Sequence, residues 1–225
     1  MGTRDRQEVV NREALQEAQY MLPYHHLPRL YHWPDKLEYE CYMAFIEGII
    51  ADKRPRSLLD VGCGDGRLIR DLGFGMGCDL SPRAIAWAQA MGLNCVRMDA
   101  RDVVGKYEMV TAIEVLEHIP PEQSREFTKL LALRSQRWVL LSVPTTNAKL
   151  NPKHYHHYDY ALLVDHIGCA FKIRQLWWIV DRPWWWSLVE RLPTTKVEGF
   201  LASWMNDNIV ATPETGRHLV CLGEV

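Results

Sequence analysis

The sequence predicts an α/β protein, with a mostly parallel sheet, helices on both of its faces and a helical cap at the N-terminus. Three observations carry this expectation. Short apolar runs suited to buried strands alternate with amphipathic stretches at helical spacing from about residue 55 to 145. A glycine loop, Asp60-Val-Gly62-Cys-Gly64-Asp-Gly66, joins the first such run to a helix. Acidic residues, Asp79 and Asp99, close the next two runs. Alternation of this kind needs crossover connections and therefore parallel pairing.

Taken in order, residues 5–20 read as an exposed helix. Two prolines, Pro23 and Pro28, then forbid a continuous helix. Residues 35–51 place apolar side chains at helical spacing. Ser57–Gly62 reads as a short buried strand that runs into the glycine loop, and a helix opens at Arg67. Gly75–Leu80 is a second strand. The next helix starts with Ser81 as N-cap and Pro82 at the first position, where proline is favoured. Asn94–Asp99, Tyr107–Ile113 and Trp138–Val143 are strands three to five, with a helix over Pro121–Leu133. Phe171–Val180 and His218–Leu222 are two further strand candidates. The expected division is a cap segment over 1–54 and a core over 55–225, with a substrate-facing insert near 145–215.

Composition narrows the partners. The chain has 225 residues, 48% hydrophobic and 24% charged, which supports one sizeable core. A net charge of −2 offers no basic field for bulk nucleic acid or anionic membrane. Cys41, Cys63, Cys78, Cys95, Cys169 and Cys221 include no CxxC pair, which argues against a zinc ribbon; buried free thiols are expected. The polar N-terminal stretch lacks a signal-peptide core, and no apolar run approaches the ~18 residues of a membrane span, so a cytoplasmic location is expected. Five of the nine tryptophans fall in Trp177, Trp178 and Trp184–Trp186. They suit core packing, a substrate pocket, a partner surface or peripheral membrane contact.

The glycine loop follows a strand and precedes a helix, the context of a nucleotide-binding loop. Its charges narrow the ligand. Asp60 and Asp65 would repel a pyrophosphate at this helix start, whereas S-adenosylmethionine (SAM) carries a cationic ammonium and sulfonium. Asp79 is placed to accept from ribose hydroxyls, and Asp99 from an adenine amino group. Beyond the fourth strand, Glu114, Glu117 and His118 share one face if helical. His154-Tyr-His156-His157 follows the fifth strand. Carboxylates and imidazoles converging there suit a divalent cation, Mg, Mn or Zn. His118, Glu117 and His157 are the candidate catalytic residues, and Glu114, Glu117, His118 and His157 the candidate metal ligands. Tyr24 and His25 are placed to cover the cofactor.

The runs LLDVGCGDGRLIRDL, GCDLSPRAIAWAQ, MDARD and EMVTAIEVLEHIPPE together resemble the class I SAM-dependent methyltransferase family. The resemblance implies a Rossmann-like seven-stranded sheet with its last strand antiparallel and SAM across the strands' carboxyl ends. It implies that Asp60, Gly62 and Gly64 contact the methionyl and ribose parts. Asp79 would take the ribose, Leu80 would pack on the adenine, Asp99 and Ala100 would hold the adenine edge, and Glu114 would lie next to the methyl. EVLEH is similar to the motif of the ubiquinone-biosynthesis O-methyltransferases. More weakly, ExxEH with a distal histidine segment resembles the small-RNA 3′-end 2′-O-methyltransferases, although no Phe-Glu-Trp-Thr-Arg counterpart follows His157. The expected activity is methyl transfer from SAM to a hydroxyl of a small or lipid-like acceptor. An RNA-end methyltransferase and a non-catalytic SAM-binding partner subunit are the alternatives.

Overall fold

The computed structural model describes residues 12–27, 33–168, 170–181, 203–205 and 207–225. The Trp184–Trp186 part of the Trp-rich segment, and Cys169, lie outside them. Helix α1 covers residues 12–19, and a short 3-10 turn over Tyr24–His26 follows it. The remaining helices are α2 (Trp33–Lys53), α3 (Arg67–Leu72), α4 (Pro82–Ala90), α5 (Pro121–Arg134) and α6 (Tyr160–Ile167). The strands are β1 (Leu58–Val61), β2 (Met76–Asp79), β3 (Cys95–Arg97), β4 (Tyr107–Ile113), β5 (Ser135–Pro144), β6 (Lys172–Ile179) and β7 (His218–Glu224).

They form one seven-stranded sheet in the order β3-β2-β1-β4-β5-β7-β6. β1 to β5 pair in parallel, while β7 runs antiparallel between β5 and β6. This is the Rossmann-like topology that the resemblance implied.

The two faces are read out by strand alternation. Leu59, Val61, Val110, Ala112, Val139 and Leu141 face one core, which α5 and α6 close with Leu131, Leu163 and Ile167. Leu58, Met109, Leu140, Val220 and Leu222 face the other, closed by Ile46 and Ile50 of α2, Leu68 and Ile69 of α3, and Ile85 and Ala88 of α4. Helix α2 is therefore a sheet-covering helix as well as part of the expected cap segment.

Local capping sets the helix starts. Ser81 accepts from Ala84 N at 3.1 Å with Pro82 in the first turn, as expected. Asp159 accepts from Leu162 N at 2.8 Å and opens α6, a helix the sequence reading left inside the 145–215 insert. Trp177 meets Phe45 edge-on at 5.6 Å, and Trp178 packs at 6.2 Å from Tyr160, so this part of the tryptophan cluster packs against helices on the sheet. Among the described residues no helix is long and apolar enough to cross a membrane. Cys63, Cys78, Cys95 and Cys221 are buried free thiols, as expected, and Cys41 is half-buried and free.

Gly223 shows how tightly β7 is packed. A Cβ there would lie 2.0 Å from the Phe171 ring. Gly223→Ala is expected to cost about 1–3 kcal/mol through overpacking. Urea denaturation reads it as a lower midpoint at constant slope, and a wild-type midpoint would mean that Phe171 turns aside freely.

Candidate active site

A cavity of about 1200 Å³ opens at the carboxyl ends of β1 to β4, where ligands bind in open parallel sheets. The glycine loop forms its floor. Gly62 N and Cys63 N both donate to Cys78 O, at 2.8 and 3.1 Å, which folds the loop over the end of β2. Gly62 and Gly64 have φ of 73° and 54°, in the left-handed region that favours glycine. A side chain at Gly64 would also strike the Tyr20 hydroxyl, 2.6 Å from its Cβ position.

Asp79 accepts from Gly64 N at 2.9 Å and Ser81 N at 2.8 Å, one donor on each oxygen. Burial raises its carboxyl above the usual range. Asp60 accepts from Thr111 Oγ1 at 2.7 Å, and burial pushes it up to about 7, with Thr111 acting the other way. Both line the cavity, as do Leu80 and Ala100. Asp99 also lines it, with its carboxylate held by Arg101 Nε at 3.0 Å and Nη2 at 2.5 Å.

Asp65 behaves differently from its loop neighbours. It is fully buried and bonded to His25 Nδ1 at 2.6 Å and His25 N at 3.3 Å, with His26 Nε2 3.5 Å away. These histidines hold its carboxyl well below the usual range against the cost of burial. Asp65 thus anchors the N-terminal cap and does not face the cavity, which corrects the expectation that it presents charge to the ligand. Tyr24 and His25 line the cavity from this cap. The cap is tied on its other side by Glu17 to Ser81 Oγ and by Trp87 Nε1 to Tyr20 O at 3.0 Å. Tyr20 was not singled out by sequence, because nothing in a polar helix marks the one ring that meets a glycine loop.

The opposite end of the cavity begins at Glu114, a non-glycine residue with φ of 56°. Its Oε1 accepts from Ser142 Oγ at 3.2 Å and Tyr42 at 3.3 Å, and lies 3.2 Å from His218 Nδ1. Glu117 is fully buried, and neither carboxylate oxygen has a hydrogen-bond partner. Burial pushes its carboxyl well up, with the neighbouring Glu114 adding to the shift. His118 is pulled down to about 4 and His154 to about 3, in both cases mainly by burial, so both imidazoles are neutral at pH 7. Their rings meet edge to face at 4.6 Å.

The tautomers follow from the partners. His157 Nδ1 lies 3.1 Å from the Ala148 carbonyl, which can only accept. With that proton on Nδ1, His157 Nε2 accepts from His154 Nδ1 at 2.9 Å, leaving His154 Nε2 with a free lone pair.

Glu117, His118 and His154 each place a ligand atom within 4.8 Å of the others. The expected set was Glu114, Glu117, His118 and His157. The fold assembles a different one: Glu114 is committed to Tyr42, Ser142 and His218, and His157 stands behind His154. The sequence offered no way to choose among three nearby histidines. Lys153, lowered to about 8 by burial, also lines this end.

Glu114 and His218 support each other. Burial works against the charge on each. The imidazolium lowers Glu114, and Glu114 raises His218. The stabilisation from His218 is complete below its unfolded pKa, near 6.5, and is lost as pH rises through the raised folded value. That from Glu114 is complete above about 4.3 and is lost as pH falls through its lowered value. The stability difference between wild type and His218→Gln is therefore expected to peak at about pH 5–6 and shrink towards pH 9. Denaturant melts across that range test it, and a difference that grows with pH contradicts the pairing.

A family model for a methyltransferase domain matches residues 36–182. The ubiquinone biosynthesis O-methyltransferase of Bordetella parapertussis is 32% identical over 116 residues, 45% of this chain and 47% of that protein. That of Chromobacterium violaceum is 30% identical over 108 residues, 42% of this chain and 47% of that protein. The matched region spans about half the length of these curated relatives. Among solved structures, magnesium protoporphyrin IX methyltransferase from Synechocystis PCC 6803 with bound SAM aligns at a TM-score of 0.59 and 16% identity, covering 86% of this chain and 83% of that one. Small RNA methyltransferase HEN1 aligns at 0.61 and 15%, covering 83% of this chain and 25% of that one. The structural likenesses show the fold. With the family match across most of the sheet, the chain belongs to the methyltransferase-domain family.

Proposed function

We propose that the chain transfers the SAM methyl to a hydroxyl of a small or lipid-like acceptor. The observation that carries this reading is the cluster of buried Glu117 with half-buried His118 and His154 on the wall of the cavity. In-line methyl transfer depends first on positioning, because the sulfonium already activates the methyl. Asp79 retains lone pairs for the ribose hydroxyls, and Asp60 offers a carboxylate to the cationic methionyl end. The curated relatives carry O-methyltransferase names, which supports a hydroxyl as the acceptor.

A hydroxyl acceptor must lose its proton, and a neutral imidazole such as His118 is suited to take it where no ion occupies its lone pair. The donor set also fits a divalent cation. Glu117 has two unpartnered oxygens in a buried position, and two neutral imidazoles stand beside it. Glu117, His118 and His154 would hold the ion, with His157 fixing the His154 ring from behind. Such an ion lowers the pKa of a bound hydroxyl.

An acceptor screen with methyl-labelled SAM tests the reading, beginning with catechols and prenylated phenols. Label is expected on an acceptor oxygen, with loss of activity in chelator and recovery with Mg²⁺, Mn²⁺ or Zn²⁺. His118→Ala is expected to lower turnover by about 10²–10⁴-fold, the usual contribution of a general base. SAM affinity, read by calorimetry, should stay close to wild type. Normal turnover in this variant removes His118 from the mechanism, and chelator-insensitive turnover removes the ion but leaves the histidine. Asp79→Ala is expected to weaken SAM binding by about 1–3 kcal/mol, the cost of unpaired buried hydroxyls.

A further inference from the structure

Two cysteines lie beneath the cofactor loop, outside the acceptor cluster. Cys63 stands between Gly62 and Gly64, and Cys95 begins β3. Both belong to the core on the α2–α3–α4 face, whereas Cys78, next along β2, belongs to the opposite core. The pair meets over Gly77. A Cβ at Gly77 would lie 2.6 Å from Cys63 Sγ and 2.8 Å from Cys95 Sγ. The two sulfurs therefore share the space that a glycine leaves open. The Cys63 thiol donates to Gly64 O at 3.7 Å, and the nearness of the two thiols raises Cys63 and lowers Cys95. Cys63 forms part of the cavity wall, while Cys95 is only 2% exposed behind it.

We infer that Cys63 and Cys95 form a thiol pair that a peroxide entering the empty cofactor cavity oxidises to a disulfide, closing the site to SAM. The chemistry balances with the peroxide alone. One thiol of the pair, as thiolate, attacks one peroxide oxygen, the O–O bond breaks, and the expelled hydroxide takes up that thiol's proton and leaves as water. The other thiol then attacks the resulting sulfenic acid, the S–O bond breaks, and the hydroxyl departs with the second thiol's proton as a second water. Two thiols lose two electrons and two protons, and the peroxide accepts them.

The consequence lies in the loop. Gly62 N and Cys63 N bond to Cys78 O, and Gly64 N bonds to Asp79. Drawing Cys63 towards Cys95 to disulfide distance moves the backbone that sets these bonds. Bound cofactor covers the Cys63 side of the pair, so occupancy protects it. Cys41, half-buried and on α2, is an internal control for general oxidation.

The test uses the wild-type full chain, stripped of cofactor and treated with hydrogen peroxide with or without S-adenosylhomocysteine. Free thiols are alkylated and the digest is mapped by mass spectrometry. A peptide linked through Cys63 and Cys95 is expected, forming about tenfold more slowly when S-adenosylhomocysteine saturates the site. The oxidised protein should bind S-adenosylhomocysteine about tenfold or more weakly, with recovery in dithiothreitol. A Cys41→Ser chain should behave in the same way. The inference is overturned if Cys63 and Cys95 remain alkylatable after Cys41 is oxidised, or if either links to another cysteine. Linkage at the same rate with S-adenosylhomocysteine bound, or with unchanged affinity, overturns it as well.

Discussion

The geometry of the glycine-loop side of the cavity depends on one carboxylate. Asp79 ends β2 and accepts backbone N–H groups from the glycine loop on one oxygen and from the start of α4 on the other. Two segments that leave different strands are thereby held at a common point. A buried carboxylate is stable only when such donors compensate its lost hydration. The donors come from positions the fold must place there anyway, the third glycine-loop residue and the N-cap of a helix. The remaining lone pairs of Asp79 are presented to the cavity by the same construction.

Around this point the acidic residues divide by commitment. Asp65 is consumed by His25 and His26, and Glu114 by Tyr42, Ser142 and His218. Asp99 is drawn towards Arg101. Glu117 alone in this group is buried with no hydrogen-bond partner on either oxygen. An unpartnered buried carboxylate is costly and is retained where a ligand or a proton completes it. The Glu117 end of the cavity therefore holds its unsatisfied group beside His154, whose Nε2 lone pair is free, and the glycine-loop end holds Asp79, already braced by backbone.

Much of the fold was legible in the sequence. The short apolar runs of β1, β4 and β5, the Ser81–Pro82 helix start and the acidic strand ends each have a local physical cause; β1 and β4 lie within a residue of their expected bounds, while β5 begins three residues before its expected start at Trp138. Helix α6 was missed because its eight residues follow a histidine-rich stretch; only the Asp159 cap announced it. The place of Asp79 was legible, because it ends β2 and lines the cavity there. The site was illegible where two distant elements cooperate. Tyr42 and His218 reach Glu114 from 72 and 104 residues away, and no spacing rule joins them. Asp65 misled for the same reason, because its partners His25 and His26 lie in a segment separated from it by the whole of α2.

Asp60 has a consequence for the solution around the protein. A carboxyl held near 7 is present in comparable protonated and ionised populations at neutral pH. A cationic ligand in the cavity that Asp60 lines selects the ionised form. Cofactor uptake then expels a proton into the buffer. The heat of binding varies with the ionisation enthalpy of that buffer, and the apparent affinity climbs as the medium passes from mildly acidic to mildly alkaline.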